Sequence, residues 1–345
     1  MINPLKSYRI LLVDSDIELS NVLKAMLVEM GFIDVRSCRS GKEAINLLSN
    51  SSFDFLITEW NIQHIEGLEL LKYLRRDPSS PNPTLPVIML TGRAELDDVF
   101  LARNYGINEY VVKPFTARSI YSRLERIIEH PRGFVVSKNF VGPDRRANSK
   151  PPEGVSERRV RITPQKPRPN NIAQELLEGE ENPQFWLPDF SLKAKIGNNA
   201  KLSDFVTAKV INNAQFAIDA ITHDSLQWIR DNLRELKLLN EVMLNSVELE
   251  DITKRLAEIA LLICTRAGTF GYSRAGEIAY ALYLFARNNL DPKSNEHHLV
   301  VQKHIEVLHV ILGNQMRGNA GEVGATVAAE LKSLVSKYTY KETQL

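Results

Sequence analysis

Four residues of differing chemistry each stand at the end of an apolar run. Asp14 closes RILLVD, Glu59 follows FDFLIT, Thr91 follows LPVIML and Lys113 follows EYVV. Two carboxylates, a hydroxyl and an ammonium are ion-pairing and hydrogen-bonding groups. Set at the ends of neighbouring strands, they would share one crevice. No nucleotide-binding loop, nucleophile elbow or zincin motif accompanies them, so an enzyme is not expected. Cys38 and Cys264 form no CxxC pattern, which argues against a disulfide framework and against structural zinc. His297, His298, His304 and His309 fall close together. Helical spacing puts His297 and His304 on one face and the other two elsewhere, so a metal site is not expected there. His223, in THDSLQWI, reads as a residue near a cap or turn.

The elements that must position the four residues alternate in type. RILLVD, DVRSC, FDFLIT, LPVIMLTG and EYVVK read as strands. Between them lie helical patterns: LSNVLKAMLVEMGF with Gly31 as a stop, GKEAINLLSN, GLELLKYLRR and ELDDVFLARNYG, and FTARSIYSRLERIIEH closes the series. Runs such as ILLV and VIML, apolar on both faces, suit a parallel sheet covered by helices. The expected fold is a doubly wound, flavodoxin-like α/β domain with five parallel strands. Its ligand crevice lies beyond the carboxyl ends of those strands.

The chain is 345 residues long, which favours two domains and a connection. An apolar content of 43% can supply ordinary cores, and a formal net charge of +1 gives no global field toward nucleic acid or membrane. The expected division is an α/β domain over 8–132, a basic Pro-rich linker with a short aromatic segment over 133–200, and an all-α helical bundle over 201–340. The linker carries Arg145, Arg146, Arg158, Arg159, Arg161 and Arg168 among six prolines between Pro143 and Pro169. A solvated tether is the first reading, and a polyanion-binding or partner-docking segment is the second. Few aromatics interleave the run, which weakens a nucleic-acid reading. No run approaches the length of a membrane span, and the N-terminus lacks an apolar leader. A soluble, cytoplasmic setting is expected.

The segments LLVDSD, FDFLITEWNIQHIEGLELLKYLR, LPVIMLTG and EYVVKPFT resemble the motif series of bacterial response-regulator receivers of the CheY type, over Tyr8 to about His130. The resemblance implies a role in phosphorelay signalling within a two-component system. In that family a carboxylate accepts a phosphoryl group while clustered acids hold Mg²⁺. A Lys pairs with the phosphate, and a Thr or Ser hydroxyl coupled to an aromatic residue makes a two-state switch. Carried over, Asp14 matches the first acid, Thr91 the switch hydroxyl, Tyr110 the switch aromatic and Lys113 the phosphate-pairing Lys. Lys113–Pro114 matches the family's usual cis peptide.

Two positions depart from the pattern. Glu59 stands at the phosphoacceptor position, where Asp is the rule, and Ser15 stands where the second acid belongs. Asp16 is out of register for that role, and Gln63 replaces a common Pro. Losing an acid lowers Mg²⁺ affinity, so no cofactor is expected and the residual Mg²⁺ option rests on Asp14 and Glu59. The longer Glu displaces the carboxylate by about 1 Å, enough to matter for in-line chemistry. Either Glu59 supplies a fixed charge in a constitutive pseudo-receiver, or it is neutral drift in a packed scaffold.

Within the bundle, EIALLICTRAGTFGYSRAGEIAYALYLF resembles a histidine-phosphotransfer (HPt) domain, with Ala260, Ala267, Gly268 and Gly271 at the small-residue positions and Leu261 at the position of its His. The leading functional reading is a non-catalytic, protein-binding adaptor. Expected partners are signalling proteins such as a histidine kinase, a phosphotransfer protein or another receiver-binding protein. Self-association through apolar helix faces is a further option, while membrane and nucleic acid are not expected. The alternatives are a conventional response regulator phosphorylated in its receiver, and a polyanion binder acting through the basic linker.

Overall fold

The computed structural model describes residues 3–137, 139–145, 184–186, 190–221, 226–243 and 249–339. The chain forms two compact units, residues 1–112 with 116–217, and residues 218–345 with 113–115.

The first unit is built on a five-stranded parallel sheet of β1 (Arg9–Val13), β2 (Asp34–Cys38), β3 (Phe55–Thr58), β4 (Val87–Thr91) and β5 (Glu109–Val112), in the order β2-β1-β3-β4-β5. Helices α1 (Ile17–Glu29), α2 (Gly41–Asn50), α3 (Gly67–Arg76), α4 (Leu96–Asn104) and α5 (Ala117–Glu129) connect or follow them. This is the flavodoxin-like doubly wound architecture that the alternation of apolar runs predicts. β3 and β4 are buried at every position, as strands covered on both faces must be. Local signals set the helix starts. Asp16 caps α1, its carboxylate accepting from the Glu18 and Leu19 N–H groups at 3.1 and 3.2 Å. Thr116 and Ser119 form a capping box at α5.

The stretch 133–200, expected to be a linker, is in its described parts folded onto this unit. β6 (Phe134–Ser137) and β7 (Phe140–Pro143) form an antiparallel pair, and β8 (Gln184–Trp186) adds antiparallel to the other side of β6. Phe134, Val136, Val141 and the fully buried Trp186 make a small core of their own. Helix α6 (Ser191–Ile196) follows. The Leu192 carbonyl accepts from the Tyr8 hydroxyl, and Lys195 pairs with Asp54 at 2.6 Å. Composition misled here, because the prolines and arginines around Pro143 dominate the reading while the strands are only three or four residues long. Arg146, Arg158, Arg159, Arg161 and Arg168 lie outside the described residues, as does His223.

Arg75 fastens the small sheet to the α/β core. Its guanidinium, at the end of α3, is fully buried. It donates to the carbonyls of Gly106 at 2.9 Å and Pro83 at 2.8 Å, and to Asn108 Oδ1 at 2.9 Å. It also lies 5.3 Å from the Phe134 ring centroid. With three acceptors and no carboxylate partner among these bonds, burial pushes its pKa down to about 9. Gly106, at φ +89°, leaves no room for a side chain, since a Cβ there would strike the Val141 carbonyl of β7.

Helix α7 spans Ala208–Ile221. The second unit contains, among its described residues, helices α8 (Leu226–Met243), α9 (Leu249–Thr269), α10 (Ser273–Asn288), α11 (Asn295–Gly313) and α12 (Gly321–Thr339). Its helical character matches the sequence reading, and the expected boundary at 201 moves to 218. Apolar residues at helical spacing supply the core: Leu256, Ile259 and Ile263 from α9, Ile278 and Leu282 from α10, and Val301 and Leu308 from α11. α9 and α10 approach closely at Gly268 and Gly276, where a Cβ on Gly276 would sit 3.4 Å from the Gly268 backbone. Gly271 turns the chain between them at φ +81°.

Candidate functional site

Asp14, Glu59, Thr91 and Lys113 come to one edge of the sheet by topology. Asp14 follows β1, Glu59 follows β3, Thr91 ends β4 and Lys113 follows β5. These strands are parallel neighbours, so all four residues stand at carboxyl ends. The junction of β1 and β3 is tight, with the Glu59 N–H donating to the Val13 carbonyl at 2.8 Å. Thr91 and Lys113 are buried, whereas Asp14 and Glu59 are half-buried. The Lys113–Pro114 peptide is cis.

The acids at this edge are engaged with backbone. Asp14 Oδ1 accepts from the Asp16 N–H at 2.8 Å. Asp16 caps α1. The Ser15 hydroxyl donates to the Asn61 carbonyl at 3.2 Å. Glu59 Oε1 accepts from the N–H of the next residue, Trp60, at 2.6 Å. Among the described residues no group of three His, Cys, Asp or Glu side chains is placed to hold a metal ion.

The loop after Glu59 closes on itself. The Gly67 N–H donates to the Trp60 carbonyl at 2.8 Å, and a Cβ on Gly67 would collide with the Glu59 carbonyl. Gln63 offers its carbonyl to the Gly41 and Ile65 N–H groups at 3.2 and 2.8 Å. The position lacking the common Pro is therefore held by hydrogen bonds to its carbonyl.

Arg93 gathers this edge together, and motif reasoning missed it. Its guanidinium lies 4.7 Å from the centroid of the buried Trp60 ring. It donates to Asn61 Oδ1 at 3.2 Å and pairs with Asp98 at 3.5 Å. Its backbone N–H reaches Thr91 Oγ1 at 3.4 Å, and its carbonyl accepts from the Tyr110 hydroxyl at 2.8 Å. One residue thus touches Thr91, Tyr110 and the loop after Glu59. Burial, followed by the charges of Asp98 and Glu59, raises the Tyr110 pKa, with Arg93 opposing. Only its position two residues past Thr91 could have singled it out from sequence.

In the bundle, Leu261 is half-buried on α9 beside the buried Ala260. Burial pushes the Cys264 thiol up to about 12, so it is not a thiolate near neutrality. The histidines serve separate local roles. His297 Nδ1 accepts from the Asp291 N–H at 2.9 Å, and His298 bridges Asn240 and the Pro292 carbonyl at 3.2 and 3.0 Å. His304 is fully buried, its Nδ1 2.8 Å from the Val300 carbonyl, and its Nε2 has no hydrogen-bond partner. Arg145 stacks at 3.9 Å on Phe140 and donates to Asn104.

No described helix is long and apolar enough to cross a membrane. Comparison with known proteins matches residues 10–125 to the response regulator receiver domain family. Chemotaxis protein CheY of Pseudomonas aeruginosa is 36% identical over 125 residues, covering 36% of this chain and 99% of that protein. Chemotaxis protein CheY-3 of Vibrio cholerae is 35% identical over 124 residues, covering 36% and 94%. The solved structure of Vibrio cholerae CheY4 aligns with 35% of this chain and 98% of its own at 25% identity, with a TM-score of 0.33. Through this first third, the chain belongs to the response regulator receiver family, and its receiver is a signalling domain of the two-component and chemotaxis type.

Proposed function

We propose that this receiver works without accepting a phosphoryl group, and that the chain is a protein-binding adaptor in two-component signalling. The observation that carries the reading is the Glu59 carboxylate hydrogen-bonded to the Trp60 N–H at 2.6 Å, beside a Ser15 that supplies no charge. In-line transfer requires the acceptor oxygen near attack geometry, where a displacement of about 1 Å is costly. It also requires charge screening that the remaining acids are poorly arranged to recruit through a cation. Asp14, Thr91, Tyr110 and Lys113 then act as the fixed framework of a binding surface, with Glu59 contributing a permanent negative charge.

The partners on this reading are proteins of the same signalling class: a histidine kinase, a phosphotransfer protein or another receiver-binding protein. The helical bundle is a second binding module. Its α9–α10 pair keeps the close glycine contact of Gly268 with Gly276, while Leu261 offers no nucleophile.

Acetyl phosphate with Mg²⁺ provides the test on the full chain, read by intact mass and by beryllofluoride effects on Trp60 fluorescence. The expected result is no added phosphoryl group and no change in emission. Stoichiometric labelling at Glu59 would sink the reading. The adaptor role is checked by measuring affinity for a histidine kinase with and without ATP, which should be equal.

A further inference from the structure

Helix α4 carries apolar side chains on its solvent face. Leu96 is 73% exposed, Phe100 53% and Leu101 41%. Its inner face is fixed by the fully buried Ala102 and by Asp98, which pairs with Arg93 at 3.5 Å. Single exposed hydrophobic residues are ordinary on a surface, whereas three within about one and a half turns of one helix mark a contact face.

Charge along the same helix is ordered. Asp97 stands in its first turn and Arg103 in its last, both exposed. Asn104, the last residue of α4, accepts a hydrogen bond from Arg145, which stacks on Phe140 of β7. A second guanidinium therefore stands at the basic end, and it comes from a residue outside the stretch that matches the receiver family. Asp97 and Arg103 lie three residues to either side of Phe100, about 4.5 Å along the helix axis.

We propose that this face of α4 binds the same face of a second copy of the chain, with the two helices antiparallel and a two-fold axis at Phe100. In that arrangement Asp97 of each copy comes level with Arg103 of the other, and Leu96 comes level with Asn104. A parallel pair would instead set acid against acid and base against base. Antiparallel helices also bring the positive end of one dipole beside the negative end of the other. Nine residues of helix span only about 13 Å, so the dimer is of the small, exchanging kind and forms with rising concentration. Self-association at α4 does not depend on whether Glu59 accepts a phosphoryl group.

Sedimentation velocity of the full chain from about 1 to 300 µM tests this. The weight-average sedimentation coefficient should rise from the monomer value toward the dimer value. Asp97→Arg and Arg103→Asp, each alone, set like charges level in the dimer and should weaken association by at least about tenfold. An equimolar mixture of those two variants sets opposite charges level again and should associate as the unmodified chain does, a recovery that misfolding of either variant would not produce. Phe100→Ser should leave the chain monomeric over the same range. A monomer at every concentration, which would leave the face to a different protein, would overturn the proposal. Undiminished association of Phe100→Ser or of either charge variant, or a mixture that fails to recover, would overturn it as well.

Discussion

The Arg93 guanidinium lies 4.7 Å over the Trp60 ring, while the carbonyl of the same residue receives the Tyr110 hydroxyl at 2.8 Å. The loop after Glu59 and Tyr110 are therefore joined through the side chain and the backbone of one residue. Arg93→Ala should remove a cation–π contact worth about 0.5–2 kcal/mol. It should lower the melting midpoint of the first unit by a few degrees and shift Trp60 emission. Tyr110→Phe, which loses one hydrogen bond, should cost about 1 kcal/mol and leave Trp60 emission unchanged. If Arg93→Ala leaves both the midpoint and the emission as they were, the joint is incidental.

Restoring the missing acids should restore chemistry. The double variant Ser15→Asp, Glu59→Asp should become labelled by acetyl phosphate in the presence of Mg²⁺. Glu59→Asp alone should label far more slowly, because it supplies the acceptor without the second acid. Mass spectrometry of the intact protein distinguishes these cases. Labelling of the unmodified chain at the same rate as the double variant would mean that Glu59 is no obstacle.

Arg75 should be intolerant of replacement. Arg75→Met removes donors from the Pro83 and Gly106 carbonyls and from Asn108 Oδ1. An unpaired buried acceptor costs roughly 1–3 kcal/mol, so a loss of about 3 kcal/mol or more is expected in urea denaturation. Arg75→Lys should recover little, since one ammonium lacks the planar fork that reaches three directions.

His304 should make the bundle acid-sensitive. Burial lowers its pKa from 6.5, against the opposing bond to the Val300 carbonyl. As pH falls, the unfolded chain takes the proton first, so stability that is present above about pH 6.5 is lost as the pH drops toward the lowered folded value. Circular dichroism melts of the full chain between about pH 8 and pH 5 should show a falling midpoint for the helical unit. His304→Leu should flatten that dependence.

The alternation of apolar runs and helical patterns carried the five-stranded sheet, because its central strands β1, β3 and β4, buried on both faces, leave an unmistakable composition. Asp14, Glu59, Thr91 and Lys113 were legible as residues that close or follow such runs, whereas Tyr110 was singled out only by the resemblance to receivers. Arg93 and Arg75 were not legible. Arg93 sits in a loop whose course depends on tertiary contacts, and Arg75, beside Arg76, reads as an ordinary basic last turn of an amphipathic helix. Strands β6 to β8 escaped because three or four residues carry too little periodicity to outweigh the prolines around them.

Truncation tests that last point. A chain ending at 132 loses the Leu192 carbonyl from Tyr8, Lys195 from Asp54, and Phe134 from Arg75. It should be less stable to urea than one ending at 217, by more than the change in length alone would cause. Equal midpoints would show the added elements to be passengers.

Both β7, which ends at Pro143, and β8, which begins at Gln184, pair with β6. The small sheet thus joins segments distant in sequence, and the entropy of such a closure grows slowly, by about 0.6 kcal/mol for each doubling of the chain between the paired strands.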